Sequence, residues 1–514
     1  KPVEKILPYA RRPEEIVPGL PVFFATAANL GGQVLGLLVE SQEGRPTKVE
    51  GNEKHPMSLG ATDTWAQSSV LDLYDADRSQ KPTHGGKPSS WSKFFNAANN
   101  ALNPLKAKEG EGLALLVENV PSPTFQTLLK EVKAKFPKLR IFKHDPMSAQ
   151  NVEDACAQLG VAGQQPDFLV DKADVLLGID ANFLDAGPAN VRNSRHFAER
   201  RDDKAIHHGM NRLYSVEANF TVTGAAADHR LRVEGSEISE FLVMLADELL
   251  TAHKLKTPAG VDKSFVKKLS ERAAHFRKAQ KARHKSEPWS KWIKEVAVDL
   301  VANKGKSLVL VGEQQPARVH SLGLFVNALL ENVGKTVVFK AGVDGPATED
   351  MSALAAAIRG GAVEGLVMLG GNPVYTAPAD LDFTRLLQSV PFSVHHSQYV
   401  DETSQVANWH VPANHYLESW GDLQSVDGSV AIQQPLIAPL YDTLSGLELL
   451  AFISGNESNK GYNIVRAYWK HKLGKKANFE KSWKQWLHDG VVSVSGKATD
   501  AKIKWTGLST AWEG

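Results

Sequence analysis

Residues 49–67, VEGNEKHPMSLGATDTWAQ, read like the approach to a metal cluster, yet they hold no cysteine. The chain has a single cysteine, Cys156, in 514 residues. One thiol excludes an intrachain disulfide, and it excludes a thiolate-ligated cluster supplied by this chain alone, since such sites take about four sulfur ligands. Cys156 sits in NVEDACAQLG, which reads as helical, and is expected to pack as a small apolar residue.

Outward from that stretch, the chain alternates between turns and short apolar runs. PVFFATA and QVLGLLVES, joined by ANLGG and followed by GRPTKVEG, predict a small β-rich unit over residues 1–85. The rhythm then changes. LALLVEN reads as a buried strand, Phe125, Leu128, Leu129, Val132 and Phe136 share one helical face, and LRIFKHD supplies the next strand, which makes a βαβ unit. ADVLLGID, RLYSVEA, KSLVLVG, KTVVFKAG, EGLVMLGG and FSVHHS repeat the alternation at crossover spacing, so parallel α/β layers are the predicted architecture. Pro288 interrupts a basic helical stretch, and the two resulting helices are expected to be exposed and to link α/β halves.

A composition 42% hydrophobic and 23% charged is that of a folded protein with several cores. With 59 basic against 58 acidic residues, no long-range field argues for nucleic acid or an anionic membrane. The basic residues from Lys254 to Lys294 are interleaved with Glu271, Glu287 and Glu295 and lack a nucleic-acid reader motif. A solvated face or a docking surface for an acidic partner is the better reading, and core packing is the better reading for Trp289 and Trp292 than an interface role. No apolar run approaches the ~20 residues of a membrane helix, so the chain is expected to be soluble or to dock on a membrane partner. It opens with Lys1 and shows no leader pattern, from which a removed presequence or a trimmed chain is expected.

Local catalytic signatures fail one by one. GKS at Gly305–Ser307 and GKT at Gly334–Thr336 lack the earlier glycine of a phosphate loop, where Leu300 and Leu329 stand. The pairs His207/His208 and His395/His396 point to opposite faces if they lie in strands, and Pro412 separates His410 from His415, so a metal site is the minority reading. No nucleophile elbow is present.

The segment EGRPTKVEGNEKHPMSLGATDTWAQSSVLDLYDADRS, from Glu43 to Ser79, resembles the opening of molybdopterin oxidoreductase large subunits. Further blocks agree in order: SSWSKFFNAANNAL, KADVLLGIDANFLDAGP, TGAAADHRLRV, LVMLGGNPVYTAPAD and DETSQVANWHVPANHYLESWGD. The resemblance implies an α/β fold with two parallel-sheet lobes and a small β-rich N-terminal region. In that family a cluster uses cysteines near the N-terminal hairpin and one in a G-x-x-C-x-K-G turn; here Asp63 takes the cysteine position and Trp65 the lysine. Asp63 therefore marks a degenerate cluster position, and no metal is expected there. Molybdenum ligation, which the family places near KHDPMSAQ, leaves Asp145 and Ser148 as formal candidates. The loop Gly370, Gly371, Asn372 and Pro373 is a vestigial pterin-loop candidate, and a tight turn after a buried strand explains it equally.

Kept scaffold and absent ligands together resemble the large iron-sulfur subunit of alternative complex III, a quinol:electron acceptor oxidoreductase. KPVEKILPYARRPEEIVPG, VESQEGRPTKVEGN, MNRLYSVEANFTVTGAAADHRL and VPANHYLESWGD carry that likeness. It implies a cofactor-free half with no catalytic residue of its own and no molybdopterin. It also implies iron-sulfur clusters in a C-terminal ferredoxin-like domain outside this chain, which would then be a fragment. The implied partners are that cluster-bearing domain, multihaem cytochrome c subunits and a polytopic quinol-binding membrane subunit, on the periplasmic side of the bacterial inner membrane and peripheral to it, with no nucleic acid. The expected division is residues 1–85, a first lobe of 86–150 and 301–400, a second of 151–300 with the helical linker, and a return segment with C-terminal helices over 401–514. Two rival readings remain open: an active molybdopterin oxidoreductase with an aspartate or serine metal ligand, and a two-lobe small-ligand binder.

Overall fold

The computed structural model describes residues 17–147, 149–203, 209–283, 288–456, 460–474, 478–492 and 498–513. At the N-terminal end, Val22–Leu30, Gln33–Gln42 and Arg45–Gly51 form a three-stranded antiparallel sheet. Gly31 and Gly32, both at positive φ, make the two-residue turn that the right-handed strand twist favours. Leu35, Leu37, Val39 and Val49 pack on Ala66, Val70 and Leu73 of the helix Thr64–Leu73 and on Leu417.

Two parallel sheets make the body of the molecule. In the larger, Leu113–Val117 lies between Arg140–Lys143 on one side and Gly365–Leu369 on the other, followed by Phe392–Ser397 and Trp409–Pro412, all parallel. Thr83–His84 and Lys87–Pro88 extend its edge antiparallel. Leu113–Val117 and Gly365–Leu369 are apolar on both faces because helices such as Trp91–Ala107, Pro123–Lys135 and Met351–Arg359 cover the sheet. The second sheet places Val175–Ile179 between Arg212–Glu217, with His229–Arg232 beyond it, and Ser307–Val311. Both sheets therefore reverse strand order once, next to Leu113–Val117 and next to Val175–Ile179, and such a reversal opens a crevice at the carboxyl ends of the strands.

Two sequence expectations change. Residues 301–400 are divided between sheets: Gly365–Leu369 and Phe392–Ser397 do join the sheet of Leu113–Val117, whereas Ser307–Val311 belongs to the second sheet and Val337–Ala341 pairs antiparallel with Gln164–Phe168. After His229–Arg232 the chain crosses through the helices Ile238–Thr251, Lys263–Arg283 and Pro288–Ala302 and returns parallel to the sheet it left. The last two helices are no exposed linker. Phe265, Leu269 and Ala273 on one, and Trp289, Ile293, Val296, Ala297 and Leu300 on the other, recur at helical spacing and enter the second lobe's core. Trp289 and Trp292 both pack edge-on against Phe241, the core role expected of them.

Candidate functional site

The larger sheet's crevice is closed by the loop Gly370–Pro373. Gly370 and Gly371 have φ of +82° and +69°, a region that glycine enters without strain. Beneath them lies Glu118, the residue that follows Leu113–Val117; a Cβ built on Gly370 would sit 2.1 Å from its Oε2. Burial and, secondarily, the Asp145 charge push the Glu118 carboxyl up to about 7, although the Gly371 N–H opposes the shift. Asp145 is held in its own turn, accepting from the Met147 N–H at 2.9 Å and the Asn119 N–H at 3.4 Å. Asp145 thus faces a second acid across the crevice; Ser148 lies outside the described residues.

The loop is pinned from behind. Asn372 accepts from the Thr403 hydroxyl at 2.7 Å and donates to Glu402 at 2.6 Å. His395 Nε2 lies 2.8 Å from the Gly371 carbonyl, which can only accept, so this nitrogen carries the proton. Its Nδ1 lies 2.9 Å from Ser404 Oγ, Ser404 Oγ lies 2.9 Å from His410 Nδ1, and His410 Nε2 lies 2.6 Å from Ser79 Oγ. One set of donors satisfies the whole chain: Ser79 hydroxyl to His410, His410 to Ser404, Ser404 to His395, His395 to Gly371. Burial lowers both imidazoles, His410 to about 3, which keeps them neutral as this pattern requires. His395 and His396 do point to opposite faces, His396 bonding the Leu444 carbonyl at 2.9 Å. His207 and His208 lie outside the described residues.

The second crevice is also filled by an acid. Asp180 ends Val175–Ile179 with φ of +52°. Its carboxylate accepts from Gln314 and Gln315 side chains, each at 2.8 Å, and from the Ala218 N–H at 3.3 Å. Gly312 is required here, since a Cβ on it would lie 2.0 Å from the Asp180 carbonyl. Next to Asp180, buried Glu217 accepts from Arg230 and from the Thr221 hydroxyl at 2.6 Å, and Gly224 leaves room for it.

At the degenerate turn, Asp63 caps the helix Thr64–Leu73, its carboxylate accepting from the Ala66 N–H at 2.8 Å. Trp65 is 69% exposed beside it. Among the described residues no group of three or more His, Cys, Asp or Glu side chains is arranged to hold a metal ion. Cys156 is buried in the helix Gln150–Gln158, and burial pushes its thiol up to about 12, far from a ligating thiolate. What ties this region to the rest is a pair that composition and spacing did not reveal. Arg78 and Glu418, with side chains 0% exposed, meet at 2.6 and 3.2 Å. Arg78 also donates to the Leu73 carbonyl, and Glu418 accepts from the His415 and Leu440 N–H groups. Burial alone would raise the Glu418 carboxyl, and these donors hold it below its ordinary range. The DADRS and HYLES segments of the motif blocks are thereby joined.

These residues do not suit a pterin dinucleotide. A pyrophosphate at a switch point needs unengaged backbone N–H groups. Here Glu118 and Asp180 stand at both strand ends, and the Gly371 and Ala218 N–H groups already donate to them. Sequence periodicity missed Glu118, Asp180, Gln314 and Gln315; the available signal was an acid directly ending an apolar strand, in LALLVE and VLLGID.

The architecture is the mixed α/β, molybdopterin-oxidoreductase-like fold. Acetylene hydratase from Pelobacter acetylenicus has a similar structure, with a TM-score of 0.64 at 14% identity, covering 84% of this chain and 69% of that one. By sequence, the chain is similar to the menaquinone reductase, molybdopterin-binding-like subunit, of Nitratidesulfovibrio vulgaris. The two are 26% identical over 464 residues, which is 85% of this chain and 66% of the relative, just under two thirds of its length. No family model matches the chain. Among the described residues no helix is long and apolar enough to cross a membrane.

Proposed function

We propose that this chain is a cofactor-free, molybdopterin-enzyme-like scaffold in a respiratory quinone or quinol oxidoreductase, of the kind represented by alternative complex III. The observation that carries the reading is the internal carboxyl group at each switch point, Glu118 and Asp180, which takes up backbone N–H groups that a dinucleotide's phosphates would need. The name of the similar subunit, molybdopterin-binding-like and part of a menaquinone reductase, supports a molybdopterin-enzyme-like chain in a quinone-linked oxidoreductase. In this reading quinol loses two electrons and two protons in a membrane subunit. The electrons pass through clusters in a ferredoxin-like domain to multihaem cytochromes c on the periplasmic side, while this chain holds those parts together and takes no electron itself.

Detergent extraction of native membranes followed by affinity capture of the full-length protein tests the assignment. Expected is co-elution with a polytopic subunit and with c-type haem that quinol reduces. Elution of the chain alone, free of haem and polytopic protein, would contradict it.

A further inference from the structure

The helices Gly461–Leu473 and Phe479–Asp489 turn their aromatic residues inward: Trp469, Phe479, Trp483 and Trp486 enter the core of the larger sheet's lobe, with Trp469 edge-on to Trp486 at 5.7 Å. Their outer surface is basic. The two helices contain two acids, and both are engaged: Glu480 pairs with Arg466 across the seam between the helices, and Asp489 pairs with Lys54 at 2.5 Å. Lys470, Lys472, Lys481 and Lys484 are exposed and pair with no acid among the described residues. Lys481 and Lys484 share one face with Gln485 and His488 at the i, i+3, i+4, i+7 spacing of a helix stripe.

The second helix ends beside an apolar edge. A Cβ built on Gly490 would lie 2.7 Å from the Ala25 Cβ, and the Gln434 side chain donates to the Ala25 and Leu487 carbonyls, at 2.5 and 2.9 Å. Just before Ala25, Phe23 and Phe24 are 53% and 42% exposed, and Leu20 is 61% exposed. Phe23 and Phe24 are consecutive in Val22–Leu30, the edge strand of its sheet, so they point to opposite faces and both reach solvent at the strand's end. Glu40 stands opposite Phe23 in register; it and Glu50 flank Lys48, which pairs with Glu50, so these acids subtract one charge from the four free lysines and leave the surface cationic.

We propose that this surface docks directly on an anionic lipid bilayer, with the lysines among the headgroups and Leu20, Phe23 and Phe24 inserted at the acyl boundary. Uncompensated lysines beside a small exposed apolar group are the two parts that peripheral membrane binding requires. An acidic protein fits less well, since protein interfaces deplete lysine and favour arginine, and the arginine of these helices is spent on Glu480. With a formal net charge of +1 the chain has no long-range pull, so the attraction acts at contact, within a screening length of about 8 Å at physiological salt. The inference deepens the scaffold reading and rests on it only for a membrane being at hand.

Co-sedimentation of the full chain with vesicles of phosphatidylcholine, alone or mixed with phosphatidylglycerol, tests it. Expected is binding to the phosphatidylglycerol vesicles about tenfold tighter than to phosphatidylcholine alone, weakened about tenfold by K481E/K484E and weakened by added salt. F23S/F24S should also weaken it, both double variants keeping the wild-type thermal stability, and Phe23→Trp should add fluorescence that brominated acyl chains quench, a signal that adsorption by charge alone would not give. Equal binding to both vesicle types, undiminished binding by either double variant, or F23W fluorescence untouched by brominated lipid would overturn the proposal. So would displacement from the vesicles by polyglutamate at equal charge concentration, the mark of an acidic protein partner. A chain that fails here can still co-elute with haem and a polytopic subunit, so the two readings fail separately.

Discussion

At the end of Val175–Ile179 the Asp180 carboxylate gathers two glutamine amides and a backbone N–H, whereas at the end of Leu113–Val117 the Glu118 carboxyl meets one N–H, a second acid and the underside of two glycines. The two positions are equivalent in topology, each bordering a reversal of strand order. The difference teaches that a crevice shaped for a phosphate can be closed in two ways. One is an internal anion that takes over the donors; the other is a carboxyl so poorly solvated that it holds its proton near neutrality.

Breaking the pair that ties the N-terminal region to the rest should have the largest effect. Arg78→Met leaves Glu418 buried without its cation, and urea unfolding should show a loss of about 3–5 kcal/mol. In the second crevice, Asp180→Ala orphans the donors that converge on it and removes a residue type tolerant of positive φ; about 2–4 kcal/mol should be lost in the same measurement.

Glu118→Gln should act in the opposite direction and reveal itself through pH. Because folding raises this carboxyl from 4.5 to about 7, its contribution is complete below the lower value and is lost as pH rises through the upper one. The Gln variant should therefore gain on the wild type by about 2–3 kcal/mol between pH 5 and pH 8, read as the change in the difference between their unfolding free energies. A pH-independent difference would show that the two crevices are electrostatically alike. The smallest effect belongs to Asp63→Ala, about 1 kcal/mol from a lost helix cap, with no change in iron content.

The strands themselves were legible because each is a short apolar run ended by a turn residue, and the Gly370–Pro373 turn was legible for the same reason. The capping bond of Asp63 depends on a helix start that motif matching does not weigh. Periodicity says that Ser307–Val311 is buried and not which sheet it joins, since the partner strand lies more than a hundred residues away. Basic side chains at Lys267, Lys268 and Arg272 masked the apolar series Phe265, Leu269 and Ala273 beneath them, so a core helix read as an exposed one. The histidine chain from Ser79 to Gly371 was invisible because His395 and His410 are brought opposite each other only by strand pairing, and Ser79 reaches them from a distant segment.

Elemental analysis of the purified full-length protein for molybdenum and tungsten, paired with release and chromatography of any pterin or guanine nucleotide, is the most direct trial of a scaffold with internally filled crevices. Expected is far less than one metal and one pterin per chain. One molybdenum or tungsten atom per chain with stoichiometric pterin would mean that Glu118 and Asp180 yield to a bound dinucleotide, and the scaffold reading would be wrong.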